Sequence, residues 1–201
     1  MMRYGPGVAL VVVDMQNDFA DPRGSLRVAG ADTILPVING QIALARANHS
    51  LVVFSQDWHP KRTPHFARDG GSWPVHCVAD TWGAEFYPGL DCPPGSPLIR
   101  KGTLGEDGYS AFTMRDAETG DTVPTPLETL LHEAGVDTVV VVGLATDYCV
   151  KATALDSLRL GHHTTVLTDG IAAVNVQPGD AERALADLEA AGVVLASTLT
   201  R

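Results

Sequence analysis

Four runs of consecutive apolar residues punctuate the chain: Val8–Val13, Leu51–Ser55, Thr138–Val142 and Thr164–Thr168. Each run is continuous rather than alternating, which is how a strand reads when both faces of its sheet are covered, as in parallel α/β sheets. Val193–Ser197 predicts a fifth strand and Pro97–Lys101 a sixth. Between them, apolar residues recur at spacings of three and four over Ile34–Ala47, over the shorter Pro126–Glu133, and over Asp147–Leu160. A further helix, Ala181–Ala191, stops at Gly192, where a helix C-terminus favours glycine. The alternation predicts one three-layer α/β/α domain spanning residues 1–201, built on a mostly parallel, doubly wound sheet. From Asp57 to about Pro97 the rhythm fails, and Gly, Pro, Trp and His predominate. That stretch reads as a loop insertion, and so long a loop in a compact domain is usually functional.

In doubly wound sheets, ligands bind beyond the carboxyl ends of the strands. Asp14 directly follows the first strand, Asp57 the second and Lys101 closes the Pro97–Lys101 strand, while Cys149 comes shortly after Val139–Val142. Gly143 ends that apolar run, so Cys149 is expected in the first turn of the next helix, where free N–H groups and the helix dipole favour a thiolate. Taken alone, a cysteine there is more often a small buried hydrophobe. Its company at the other strand ends raises the catalytic reading. Asp14 could accept the thiol proton and later return it to a departing amine, and a nearby Lys101 would lower the thiol pKa. On the plainer reading, Asp14 satisfies backbone N–H groups at a strand end and Lys101 is a surface lysine. Strands lie about 4.8 Å apart, so with strand order 3-2-1-4 Lys101 starts roughly 10 Å from Asp14. It is therefore expected past its strand end, on a loop that folds back, which Gly102, Gly105 and Gly108 allow.

A second group begins with Asp57-Trp58-His59, whose carboxylate and imidazole, two residues apart on an extended segment, point the same way. His65 and His76 follow in the same loop. Mixed oxygen and nitrogen donors suit Zn²⁺, Mn²⁺ or Fe²⁺, although surface loops also carry histidines for no such reason. His49, His132, His162 and His163 read as solvated. Phe19, Trp58, Trp73 and Tyr109 lie near the polar positions, where rings could sandwich a flat ligand or simply close the core under the long loop.

Composition narrows the partners. With 45% hydrophobic and 19% charged residues the chain is an ordinary globular one. Its net charge of -10, with no cluster of Lys and Arg, argues against nucleic acid or an anionic membrane and leaves a small neutral or cationic ligand. Three cysteines are too few for a disulfide framework, so reduced thiols in a cytoplasm are expected. Asp14 cuts short the first apolar run, so no signal peptide is expected, and no apolar stretch approaches the ~20 residues that span a bilayer.

Together, Val12-Val13-Asp14-Met15-Gln16-Asn17-Asp18-Phe19, Gln56-Asp57-Trp58-His59-Pro60, Trp73-Pro74-Val75-His76-Cys77, Lys101-Gly102 and Gly143-Leu144-Ala145-Thr146-Asp147-Tyr148-Cys149-Val150 resemble, in order and spacing, the nicotinamidase/pyrazinamidase branch of the isochorismatase-like hydrolases. The resemblance implies an Asp14–Lys101–Cys149 triad. It implies an oxyanion hole from the N–H groups of Ala145 and Cys149, with a cis peptide at Leu144-Ala145. It places a divalent metal (Zn, Mn or Fe) on Asp57, His59 and His76, with His65 matching a ligand found in part of the family. Phe19 and Trp73 match rings that flank the substrate, as does Tyr109 on a loop of variable length; Leu144 and Ala145 complete the implied substrate contacts. The implied activity is hydrolysis of nicotinamide, and of pyrazinamide, through a cysteine thioester, without an organic cofactor and in a possible homo-oligomer. Two alternatives stay open: another small amide such as a carbamoyl compound, for which the metal loop would be superfluous, or a catalytically silent binding or redox-sensing domain. Lys61-Arg62-Thr63-Pro64, before His65, departs from the family's usual wording and leaves the pocket rim undefined.

Overall fold

In the computed structural model, which describes residues 3–198, all six anticipated strands form and join one parallel sheet. In chain order the strands are β1 (Val8–Val13), β2 (Leu51–Asp57), β3 (Leu98–Lys101), a small antiparallel hairpin of β4 (Thr113–Arg115) and β5 (Thr122–Pro124), then β6 (Thr138–Leu144), β7 (His163–Ala172) and β8 (Val194–Ala196). The hairpin, which the apolar pattern did not indicate, stands apart from the sheet, whose order is β3-β2-β1-β6-β7-β8. The chain thus builds outward from β1 in one direction, then from β6 in the other. The crevice where the winding reverses opens between β1 and β6.

The helices are α1 (Asn17–Ala20), α2 (Ala31–Ala47), α3 (Leu127–Glu133), α4 (Lys151–Arg159) and α5 (Asp180–Ala191). Leu10 and Val12 of β1 pack with Ile34, Ile38 and Ile42 of α2. Ala9, Val11 and Val13 face the opposite way, among Leu127 and Leu131 of α3, Ala154 of α4 and Leu188 of α5. This two-sided burial is the cause of the unbroken apolar runs. None of the helices is long and apolar enough to cross a membrane among the described residues.

Several boundaries differ from the expected ones. Gly143 does not end β6, which runs on to Leu144. It has a φ of 112°, and a Cβ there would lie 2.1 Å from the Val13 carbonyl oxygen. The glycine therefore serves close approach of β1 and β6, at a register shift against β7. The helix expected over Asp147–Leu160 divides into a π-helical turn at Thr146–Val150 and then α4. The 57–97 insertion is packed rather than structureless: single turns at Ala67–Asp69 and Trp82–Ala84, with backbone bridges joining His59 to Val78, Phe66 to Trp73 and Gln16 to Phe86. His162 is buried, with its Nε2 2.9 Å from Glu128 Oε2, and so is not solvated; His49, His132 and His163 are exposed.

Candidate active site

Strand parity sets one side of the site. Val53 and Ile99 share a core face with Val13, so Ser55, Asp57 and Lys101, each an even step further, leave the sheet on that face. Asp57 and Lys101 are register partners at the carboxyl ends of β2 and β3. Simple alternation would send Asp14 to the opposite face. Instead it adopts a left-handed backbone (φ 47°), and its carboxylate meets Ser55 and Lys101.

The Lys101 ammonium is the hub. Its Nζ donates to Asp14 Oδ2 at 2.7 Å and to the Tyr109 carbonyl at 3.0 Å, lies 2.9 Å from Asp57 Oδ1, and is 3.4 Å from Cys149 Sγ. The expected folded-back loop is not needed. Lys101 is the last residue of β3, and its long stem reaches past β2 to the end of β1. Ser55 donates its hydroxyl to Asp14 Oδ1 at 2.6 Å, so both carboxylate oxygens are held. Ser55 escaped the sequence reading; a lone hydroxyl in a buried strand, in phase with Asp57, was the available signal.

Cys149 is buried in the π-helical turn, whose Tyr148 and Val150 N–H groups both donate to the Ala145 carbonyl, at 3.1 and 3.0 Å. The Leu144-Ala145 peptide is cis. Burial pushes the Cys149 thiol well above its usual pKa; Lys101 opposes this, and the Asp14 and Asp57 carboxylates reinforce it. The single ammonium is shared with two carboxylates, so the helix-end and Lys101 influences that favour a thiolate are outweighed, and Asp14 is the base expected to take the proton. Burial also raises Asp14, against the pull of Lys101, which makes it a stronger base than an ordinary carboxylate. Burial works the same way on Asp57, but Lys101 and the His59 and His76 rings outweigh it and hold Asp57 well below the usual range.

Beyond Asp57 stands a second group. One nitrogen from each of His59, His65 and His76 lies within 4.8 Å of the others. Asp57 Oδ2 is 3.8 Å from both His59 Nε2 and His76 Nε2. His76 Nδ1 donates to the Pro74 carbonyl at 2.7 Å, freeing Nε2, and burial pushes its pKa down to about 4, so the ring is neutral at pH 7. Neither ring nitrogen of His59 has a hydrogen-bond partner among the described residues, although both are buried. An orphaned buried polar group costs about 1–3 kcal/mol, which a cation bound to it would remove. The donor set therefore fits a divalent cation. Asp14, Asp57 and Cys149 also cluster, but that space holds the Lys101 ammonium.

Cys149 and Ala145 line a pocket together with Asp57, His65 and His76. Its rings are Phe19, Trp73, Tyr109 and Tyr148. Trp73 and Tyr109 each pack against Tyr148, at 4.8 and 5.2 Å between centroids, and Trp73 Nε1 donates to the Tyr109 hydroxyl at 3.0 Å. One implied contact is corrected, and one open ring reading falls to core packing. Leu144 points into the core with Val140 and Val142 and is 1% exposed, because its place in β6 shares their parity. Trp58 lies outside the pocket, its face covered by the Arg100 guanidinium at 3.6 Å. The sequence reading missed Tyr148, Leu26, Val28 and Val174 as walls. Val174 comes from the loop after β7, whose N–H groups at Val174 and Asn175 donate to Asp147 at 3.0 and 2.8 Å.

The fold is a doubly wound parallel α/β sheet with these groups gathered at its switch point. Residues 8–199 match the isochorismatase domain, and the chain belongs to that family. It is 40% identical over 190 residues to the nicotinamidase/pyrazinamidase of Mycobacterium tuberculosis, covering 93% of this chain and 97% of that one. Among solved structures it is similar to pyrazinamidase of Pyrococcus horikoshii in complex with zinc, with a TM-score of 0.84, 39% identity and coverage of 96% and 99% of the two chains. It is likewise similar to PnC1 from L. infantum in complex with nicotinate, with a TM-score of 0.87, 37% identity and coverage of 98% and 97%.

Proposed function

We propose that the protein hydrolyses nicotinamide to nicotinate and ammonia, and acts on pyrazinamide in the same way, through a thioester on Cys149. The observation that carries this reading is the shared ammonium: Lys101 bonded to Asp14 with the Cys149 sulfur 3.4 Å away, at the edge of a pocket walled by rings. The amide lies flat between Phe19, Trp73 and Tyr109. Asp14 takes the thiol proton as Cys149 Sγ attacks the carboxamide carbon. The N–H groups of Ala145 and Cys149 receive the oxyanion. Asp14 then passes the proton to the departing nitrogen, and ammonia leaves. Water, deprotonated by Asp14, cleaves the thioester, releasing nicotinate and restoring the thiol. Lys101 keeps Asp14 oriented and balances its charge throughout.

Asp57, His59 and His76, with His65, would hold a divalent ion, for which Zn²⁺, Mn²⁺ and Fe²⁺ are the candidates. When bound, such an ion supplies a Lewis-acidic anchor for a ring nitrogen. We assign the whole reaction to one domain, residues 1–201, with the 57–97 insertion supplying metal ligands. The three free cysteines suit a reducing cytoplasm.

Acid-quenched turnover of nicotinamide, followed by peptide mass spectrometry, tests the pathway. A nicotinoyl group on the Cys149 peptide is expected; an acyl group on any other residue would refute it.

A further inference from the structure

We propose that Asp107 is a positioning residue that presents His65 to the metal, making the site four-coordinate from the protein. The inference rests on the metal reading above and names a residue that acts on it from a different loop. His65 is 7% exposed, and its Nδ1 lies 2.7 Å from Asp107 Oδ1. An ionised carboxylate only accepts, so the ring proton sits on Nδ1 and the Nε2 lone pair is left free. The ring is stacked on His59 at 4.8 Å, with an interplanar angle of 21°, and stands 5.3 Å from His76. One His65 nitrogen belongs to the cluster whose atoms lie within 4.8 Å of one another. His76 is fixed in the same manner, by a neutral carbonyl. Asp107 does this with a full charge, which also makes the imidazole a better donor.

Asp107 is itself anchored. Its backbone pairs both ways with Arg115 of β4, at 2.8 and 2.6 Å, and its Oδ1 accepts from the Gly108 N–H at 2.8 Å. The segment that carries it, residues 102–110, also carries Tyr109, whose carbonyl accepts from Lys101 and whose hydroxyl accepts from Trp73. Ring wall, triad lysine and fourth imidazole are thus tied to one strap. A salt bridge that merely joins two loops would not need its histidine buried among two other imidazoles with a nitrogen turned toward them.

The test is metal affinity of the full chain, read by chelator competition with Zn²⁺ and by the visible spectrum with Co²⁺. Asp107→Ala should weaken binding roughly 10–100-fold and shift the Co²⁺ spectrum, with Asp107→Asn intermediate because its amide oxygen still accepts the ring proton. His65→Ala should lose a similar factor, and the double variant Asp107→Ala/His65→Ala no more than His65→Ala alone. Glu106→Gln, which removes a neighbouring charge whose carboxylate accepts from the Leu104 N–H, should bind as wild type does. Wild-type affinity in Asp107→Ala, or losses that multiply in the double variant, would overturn the proposal while leaving the metal reading intact. A wild-type protein that takes up neither ion would overturn both.

Discussion

The two halves of the site are built on opposite principles. On the triad side, charge and hydrogen bonding close within the chain: Lys101 is shared by Asp14 and Asp57, Ser55 holds the second oxygen of Asp14, and the groups leave from strand ends or the turn after β6. On the histidine side the donors come from the 57–97 insertion, and His59 has both nitrogens buried without a hydrogen-bond partner among the described residues. The first half is complete as folded. The second is complete only with a cation, so the two should respond differently to the loss of one component.

The largest effect is expected where the self-contained half is opened. Lys101→Met leaves two buried carboxylates without their counter-ion, and should cost about 3–5 kcal/mol of stability in a denaturant titration. Little loss would mean that the carboxylates share a proton instead. Stripping the metal comes next. A site held 100-fold above its dissociation constant contributes about 2.7 kcal/mol, so chelation should lower stability by that order and abolish turnover, with Zn²⁺ restoring both. A protein indifferent to chelators would put the histidine half on the same footing as the triad and remove the contrast.

Gly102→Ala sharpens the contrast further. Gly102 has a φ of 73°, and a Cβ there would lie 2.5 Å from His59 Nδ1. About 1–3 kcal/mol of backbone strain and a displaced His59 should follow, visible as weaker Zn²⁺ binding beyond the loss of stability. Smallest is Ser55→Ala, which removes one hydroxyl from Asp14 while Lys101 stays in place. It should cost about 1 kcal/mol and lower kcat more than it changes KM.

The contrast also explains what could be read beforehand. The strands were legible because burial on both faces writes an unbroken apolar run, and the strand ends then pointed to Asp14, Asp57 and Lys101. Gly143 reads either way, because a strand end and a close backbone approach both call for glycine. Strand spacing alone calls for a folded-back loop at Lys101, and the reach of its own stem makes that loop unnecessary. The sign of Lys101's influence on Cys149 was visible, but burial and the two competing carboxylates were not, and they reverse the outcome. Val174 and Asp107 lie on loops, whose course no periodicity records, and Tyr148 lies on a π-helical turn that ordinary helical spacing does not orient. Leu144, by contrast, could have been placed in the core from its parity with Val140 and Val142.

We hold that the Cys149 sulfur, beside Lys101 and Asp14, performs the hydrolysis. The most direct test is ammonia release from nicotinamide by metal-loaded wild type and Cys149→Ala, with folding of both checked by thermal unfolding. A folded variant slower by at least roughly 10³-fold is the predicted result. A folded Cys149→Ala protein that releases ammonia at the wild-type rate would contradict it.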